Sequence, residues 1–272
     1  MAVQEESQYK LFFDESTVPA TDSTLELSLM GSLIVPEIFY NLNSIQEENR
    51  KIQNNEYKLH FTDFRGPGKK NYAKILNLFL SRPDLLKFNV LCFEKEGNYL
   101  DDHIAFSKEN MTDMIYSKLP ERTIYGGIRN VSKFTPASYD IYIENSIHYT
   151  SLNINDTIKK QLNSQALYRN DSFKINNSNL YTKNQELGIE VTDTLLGIVS
   201  LIIRNPSKYK DDGNISKGRK EKLKFIYNNR ELLKSFLPSI AYYELDKNGA
   251  LTQRSFDKFF YEFILKYEKE NR

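Results

Sequence analysis

The hydrophobic and polar positions of the chain switch between the period of a strand and that of a helix. Tyr9-Lys10-Leu11-Phe12-Phe13-Asp14 is a short β-prone run, ended by Asp14-Glu15-Ser16-Thr17 and Pro19, which read as a turn. Leu25-Glu26-Leu27-Ser28-Leu29-Met30 alternates strictly and continues through Val35 to Pro36, as a long strand antiparallel to the first would. A helical pattern with Ile38, Phe39, Leu42 and Ile45 then spans Pro36 to Gln53, and Tyr57-Lys58-Leu59-His60-Phe61 reads as a short strand. After a loop with Gly66-Pro67-Gly68, the stripe Tyr72, Ile75, Leu76 and Phe79 predicts a helix that stops before Pro83, and Lys87 to Glu94 predicts a strand.

The alternation continues. Leu100 to Val131 is helical in composition, with Ile104, Met111, Met114, Ile115 and Leu119 at helical spacing and Pro120 as a break or the first residue of a second helix. Tyr139 to Glu144 is a clear β run that ends in an acid, Ser151 to Gln165 a helix capped by Asn153 or Asn155, and Lys174 to Asn176 a small edge strand. Glu190 to Arg204 is almost wholly apolar apart from Thr192, Asp193 and their neighbours, so this helix must be buried on most faces. Beyond Pro206 a Gly/Lys/Asp-rich loop leads to helices at about Glu221–Phe236 and Gln253–Glu270. The expected architecture is α/β: a mixed central sheet flanked by helices over residues 1–205, with residues 206–272 a helical C-terminal extension packed on the same domain.

Composition narrows the chemistry. The chain has 272 residues, 40% hydrophobic and 13% aromatic, enough apolar side chain for a folded domain. Lys and Arg number 37 against 36 Asp and Glu, so no whole-protein field gathers polyanions, and a nucleic-acid partner would need a local basic patch. The densest runs are Ser207-Lys208-Tyr209-Lys210 and Lys217 to Lys224, a pattern that also suits a solvated loop and helix face. The single cysteine, Cys92, lies in an apolar run and excludes an internal disulfide or thiolate metal site. No stretch approaches the roughly 18 apolar residues of a membrane span, and the polar, acidic start is unlike a signal peptide, so the expected location is cytoplasmic, with no membrane partner.

Three acids stand where a sheet could gather them. Asp14 ends the first strand, Glu144 ends a later one, and Asp193 lies early in the apolar helix, where a charge is costly unless paired, hydrogen-bonded or metal-bound. Gly197, one turn after Asp193 on the same face, would let the helix approach the sheet beside the acid. Carboxylates converging in this way suit oxygen-loving divalent cations such as Mg2+ or Mn2+. Each acid also has a plainer reading: Asp193 at the positive end of its helix, and Asp14, Glu15 and Ser16 as a turn.

The phrases Leu11-Phe12-Phe13-Asp14-Glu15-Ser16, Leu59-His60-Phe61-Thr62, Phe88 to Lys95, Ile141-Tyr142-Ile143-Glu144-Asn145 and Ile189-Glu190-Val191-Thr192-Asp193-Thr194-Leu195-Leu196-Gly197 together resemble the bacterial domain-of-unknown-function 3800 family. The likeness spans roughly Tyr9 to Arg204. It implies an RNase H-like fold, a metal-dependent nuclease activity, and a setting in phage defence or mobile elements. It also implies that Asp14 is the family's first-strand acid, that Glu144 falls where an Asp is usual, and that Asp193 is the final helical acid. The chain departs from the family at Lys58, where a glutamate is usual, at Thr17 for a glycine, and at Glu190 for a Gln. Glu15 or Glu56 is near enough in sequence to replace the lost acid, and His60 is either a ligand or proton carrier or an ordinary polar contact.

These readings lead to one expectation and one rival. The expectation is hydrolysis of DNA or RNA, with Asp14, Glu144, Asp193 and His60 catalytic, with Asp14, Glu144, Asp193 and Glu15 holding Mg2+ or Mn2+, and with Lys58, Lys217, Arg219 and Lys220 positioning the backbone. The rival is a catalytically weak nucleic-acid- or protein-binding subunit of a larger defence complex, with a protein partner docking on C-terminal aromatics: Phe236, Tyr242, Tyr243, Phe256, Phe259, Phe260, Tyr261 and Phe263. Phosphate-loop, dinucleotide-binding, serine-hydrolase and His-Glu-x-x-His motifs are all missing from the sequence.

Overall fold

A computed structural model describes residues 6–18, 27–64, 68–94, 108–129, 135–206, 216–246 and 249–271. Among the described residues seven strands form one mixed sheet: β1 (Ser7–Val18), β2 (Leu27–Pro36), β3 (Lys87–Glu94), β4 (Ala137–Glu144), β5 (Phe173–Tyr181), β6 (Ile240–Leu245) and β7 (Leu251–Arg254), in the order β5-β4-β1-β2-β3-β6-β7. β1 and β2 are the expected antiparallel pair, with Phe12 opposite Leu33. β4 and β5 add in parallel on one side, and β3, antiparallel to β2, carries β6 in parallel on the other. Only β7 reverses again, against β6.

The helices are α1 (Glu37–Tyr40), α2 (Asn43–Gln53), α3 (Lys69–Leu80), α4 (Lys108–Ile128), α5 (Ile147–Ser151), α6 (Ile154–Arg169), α7 (Leu187–Arg204), α8 (Lys217–Asn228), α9 (Arg230–Phe236) and α10 (Phe256–Lys269). They make two apolar layers because side chains alternate across a strand. On β1, Leu11 and Phe13 face the layer of α4, α5 and α6, while Phe12 faces the layer that holds α7 and the C-terminal helices. Both faces of this central strand are covered, which is why Leu11-Phe12-Phe13 reads as a continuous rather than an alternating apolar run.

α7 is the buried helix its composition demands. Its first turn is tied down by side chains: Asn49 Oδ1 accepts the Leu187 N–H at 2.8 Å, Tyr40 Oη accepts the Gly188 N–H at 3.2 Å and donates to Glu186. Two glycines let it lie close. A Cβ on Gly188 would come within 2.4 Å of the Phe12 ring, and one on Gly197 within 2.1 Å of the Phe61 ring. Both rings are fully packed, so neither can yield cheaply. Gly197→Ala is therefore expected to destabilise the fold by about 1–3 kcal/mol despite alanine's better helix propensity, as a lowered midpoint in urea would show.

Several expectations need correction. Tyr57 to Phe61 is not a strand: it runs into a short 3-10 turn at Phe61–Asp63, and its His60 carbonyl and Phe61 N–H meet side chains instead of a sheet edge. β5 has nine residues rather than three, although it is an edge strand as expected. The Glu221–Phe236 helix is two helices broken at Asn229, and the Pro36–Gln53 pattern is likewise split at 41–42. The C-terminal extension is not purely helical, because β6 and β7 extend the same sheet through β3, so the sheet runs on past residue 205. Phe236, Tyr242, Phe256, Phe260 and Phe263 are core residues and not a docking surface. Cys92 is buried, its thiol pushed up to about 11 by burial. Leu25, Glu26, Gly66-Pro67, the Leu100–Ser107 start of the long helical pattern and Lys208–Lys210 lie outside the described residues. Among the described residues no helix is long and apolar enough to cross a membrane.

Candidate active site

The parallel pairing of β1 with β4 brings the first two acids together. Phe13 is in register with Ile143, so the residues that follow, Asp14 and Glu144, meet where the β1–β4 pairing stops: Glu144 ends β4, whereas β1 runs on to Val18 against β2, so the turn expected at Asp14–Thr17 is strand. Alternation places both on the α7 face, since Phe12 and Tyr142, two residues earlier on each strand, pack on each other there. Asp14 is buried, and its Oδ1 accepts the Glu15 N–H at 2.7 Å. Burial pushes its carboxyl well above the usual carboxylate range; a hydrogen bond to Glu144, the Glu144 charge and the Asp193 charge push it further, against the Glu15 N–H.

Asp193 comes to the same place from α7. Its Oδ2 accepts the Phe61 N–H at 2.8 Å and lies 3.0 Å from His60 Nδ1. The extended segment before Phe61 thus spends its hydrogen-bonding capacity on the site: Tyr72 Oη also donates to the His60 carbonyl at 2.8 Å. The hydrogen bond to Asp193 raises the His60 imidazole above its ordinary value, opposed by burial and by Lys183. With a proton on Nδ1 shared with Asp193, Nε2 is left as an acceptor, 3.5 Å from Lys183 Nζ.

Two participants were not foreseen. Lys183, in the turn between β5 and α7, sets its ammonium 3.3 Å from Glu144 Oε1 and so bridges Glu144 and His60. Burial lowers this lysine, but Glu144, Asp193 and Asp14 outweigh that and hold it above its ordinary value. Glu190 lies one turn before Asp193 on α7, buried, with Oε1 accepting the Asn184 N–H at 2.6 Å. Asn184 has a φ of +62°, the left-handed conformation that turns its N–H toward the helix and that asparagine tolerates better than most residues. Burial, helped by the Asp193 and Glu144 charges, pushes Glu190 up to about 7. The i, i+3 spacing from Asp193 was the signal that could have found it. Nothing in the sequence singles out Lys183.

The remaining expected residues divide. Glu15 does not join the acids: as the next residue along β1 it faces the opposite layer, where Tyr149 Oη donates to it at 2.9 Å. Glu56 is exposed beyond α2. Lys58 is exposed on the extended segment two residues before His60, so the alternation of extended chain sets it on the same side. Lys217, Arg219 and Lys220 occupy the first turn of α8, capped by Ser216. That helix docks beside the site through its neighbours: Lys222 Nζ donates to the Thr62 carbonyl at 3.2 Å and lies 4.8 Å from the centre of the Phe61 ring.

In type, the donors fit a hard divalent cation: several carboxylates press on one another, and one lysine and one histidine compensate them. Among the described residues, however, no group of three or more acidic, His or Cys side chains forms a ready metal-holding set. The Lys183 ammonium stands at Glu144 as the cation of this arrangement. Lys183→Ala is expected to lower stability by about 1 kcal/mol, or roughly 2–4 °C in a thermal melt without divalent ions, a modest loss because the lysine is half exposed. Added Mn2+ should restore more of the melting temperature in this variant than in the native chain.

No family model, curated protein or solved structure matches the chain.

Proposed function

We propose that the chain is a divalent-metal-dependent nuclease that hydrolyses DNA or RNA phosphodiesters. The observation that carries this reading is the meeting of Asp14, Glu144 and Asp193, two from adjacent parallel strands and one from a buried helix. The sheet supports it too: among β1 to β5 only β2 runs opposite to the others, as an RNase H-like sheet with an antiparallel hairpin and parallel additions requires. The resemblance to the 3800 family points the same way and favours a setting in phage defence or a mobile element.

Asp14, Glu144 and Asp193 would hold Mg2+ or Mn2+, which when bound supplies Lewis-acid stabilisation of the phosphoryl oxygens and an activated water. The other side chains have parts of their own. His60, oriented by Asp193, holds Nε2 at the rim, where it can take up or give a proton. Lys183 is placed to exchange its contact with Glu144 for a phosphate oxygen, which would leave Glu144 free to bind the cation. Lys58 and the α8 residues Lys217, Arg219 and Lys220 would supply the local positive surface that a net charge of +1 does not. The test is cutting of single- and double-stranded DNA and RNA with Mg2+ or Mn2+, native chain against Asp193→Ala. Cutting that needs the metal and disappears in the variant supports the reading, and cutting that survives in the variant removes it.

A second reading, a catalytically weak binding subunit, draws on the Lys183–Glu144 ion pair at the centre of the acids. It predicts that all four substrates are bound without being cut under either metal.

A further inference from the structure

On the other face of the sheet, remote from the carboxylates in layer and in chemistry, a pocket of about 270 Å3 opens between the end of α4, the end of α6 and strands β3 and β6. Arg122, Arg129 and Arg169 line it, and no carboxylate is among its lining residues. Arg122 and Arg129 are seven residues apart, hence on one face of α4 with about 10 Å between them along the axis. Arg169 reaches over from α6: its guanidinium lies 4.9 Å from the centre of the Tyr125 ring and its Nη1 donates to Tyr125 Oη at 3.0 Å, while that hydroxyl donates to Asp171.

The floor of the pocket is unusual. Asn89, only 4% exposed, donates Nδ2 to the Thr123 carbonyl at 2.7 Å, yet its Oδ1 is buried with no hydrogen-bond partner. A buried amide oxygen left unpaired costs about 1–3 kcal/mol, so such a group is usually met by something. Gly126, between the two arginines in sequence, lies over this amide without a side chain: a Cβ there would sit 3.1 Å from Asn89 Nδ2 and 3.7 Å from Oδ1. Tyr125 and Tyr243 add aromatic surface beside this opening.

We propose that this pocket binds a nucleoside phosphate. Three guanidinium groups select a phosphate, which each can bridge with paired N–H donors. Asn89 Oδ1 asks for an N–H donor, which the edge of a nucleobase provides, and the tyrosines offer the planar contact a base takes up. Inorganic phosphate would satisfy the arginines and leave Asn89 unpaired. The volume is close to the lower end of small-ligand sites and suits a single nucleotide, not a strand. The site is independent of the proposed nuclease centre, and the test keeps the two apart.

The experiment is calorimetric titration of the whole chain with ATP, GTP, CTP and UTP in EDTA, so that binding through divalent ions at the carboxylates is excluded. At least one is expected to bind in the micromolar range, with its own nucleoside and tripolyphosphate each at least about 10-fold weaker than the tightest of the four. Arg122→Ala combined with Arg129→Ala should weaken binding at least about 10-fold with an unchanged thermal melt, since both side chains are exposed. Asp193→Ala should bind as the native chain does. The proposal is overturned if none of the four binds below about 1 mM, if tripolyphosphate binds as tightly as the nucleotides, if an oligonucleotide binds the arginine site more tightly than any of them, or if the arginine variant binds normally.

Discussion

Asp193→Asn is expected to lose on the order of 10²–10³-fold in metal-dependent cutting while folding almost as well as the native chain. The substitution is chosen for what it keeps. An amide oxygen can still accept the Phe61 N–H that Asp193 Oδ2 accepts at 2.8 Å, so the extended segment over α7 remains anchored. What it removes is the negative charge that orients His60 and would hold a cation, a change that withdraws several kcal/mol of transition-state stabilisation and little of the ground-state packing. The loss should therefore fall on kcat with KM little altered, because the basic residues of α8 and Lys58 are untouched. Equal loss in KM with kcat unchanged would mean that Asp193 acts in substrate binding alone.

Glu190→Gln is expected to do the reverse to stability: to raise it by up to about 3 kcal/mol at pH 8 and to leave it nearly unchanged at pH 4. The folded chain holds the Glu190 proton up to about pH 7, whereas the unfolded chain releases it near the ordinary glutamate value. Between those two values the native state binds more protons than the unfolded one, so the native contribution of this residue falls as pH rises through that window. Glutamine keeps an oxygen for the Asn184 N–H and never ionises, so its advantage should grow over the same window. Urea unfolding at a series of pH values measures it directly. A constant difference across the window would mean that Glu190 is charged throughout and compensated by a neighbour. An acid kept at this cost beside Asp14, Glu144 and Asp193 is what a functional site, more than a core, would retain.

The sequence shows the central elements because their burial is extreme. β1 and α7 are enclosed on nearly all sides, so Leu11-Phe12-Phe13 and the apolar run from Leu195 onward carry patterns that no exposed segment would have. The strand-end position of Glu144 could be read for the same reason; Asp14 was placed in a turn but lies inside β1, which runs on to Val18 against β2, and the β1–β4 register brings the two acids together. The edges of the sheet were less legible. Ile240-Ala241-Tyr242-Tyr243-Glu244-Leu245 is strand-like in composition, but it follows two helices and a proline, and only the free edge of β3 makes it a strand. Tyr57 to Phe61 errs the other way: it has strand composition but no edge to join, and Asp193 takes up the backbone donor instead. Glu15 was misassigned because adjacency in sequence is opposition in a strand, where a neighbour faces the other layer. Lys183 could not be read at all, since its role depends on a turn whose course is set by the left-handed Asn184.

The central claim is that Asp14, Glu144 and Asp193 form a cation site. It is tested most directly by calorimetric titration of Mn2+ into the chain near pH 7, in two buffers of different ionisation enthalpy, for the native protein and for Asp14→Asn. The account predicts a saturable event in the native chain that releases protons, and its loss in the variant: the Glu190 carboxyl is pushed up to about 7, burial raises that of Asp14, and a cation beside them would lower both. Absence of binding in the native chain, or binding that is the same in Asp14→Asn, would contradict it.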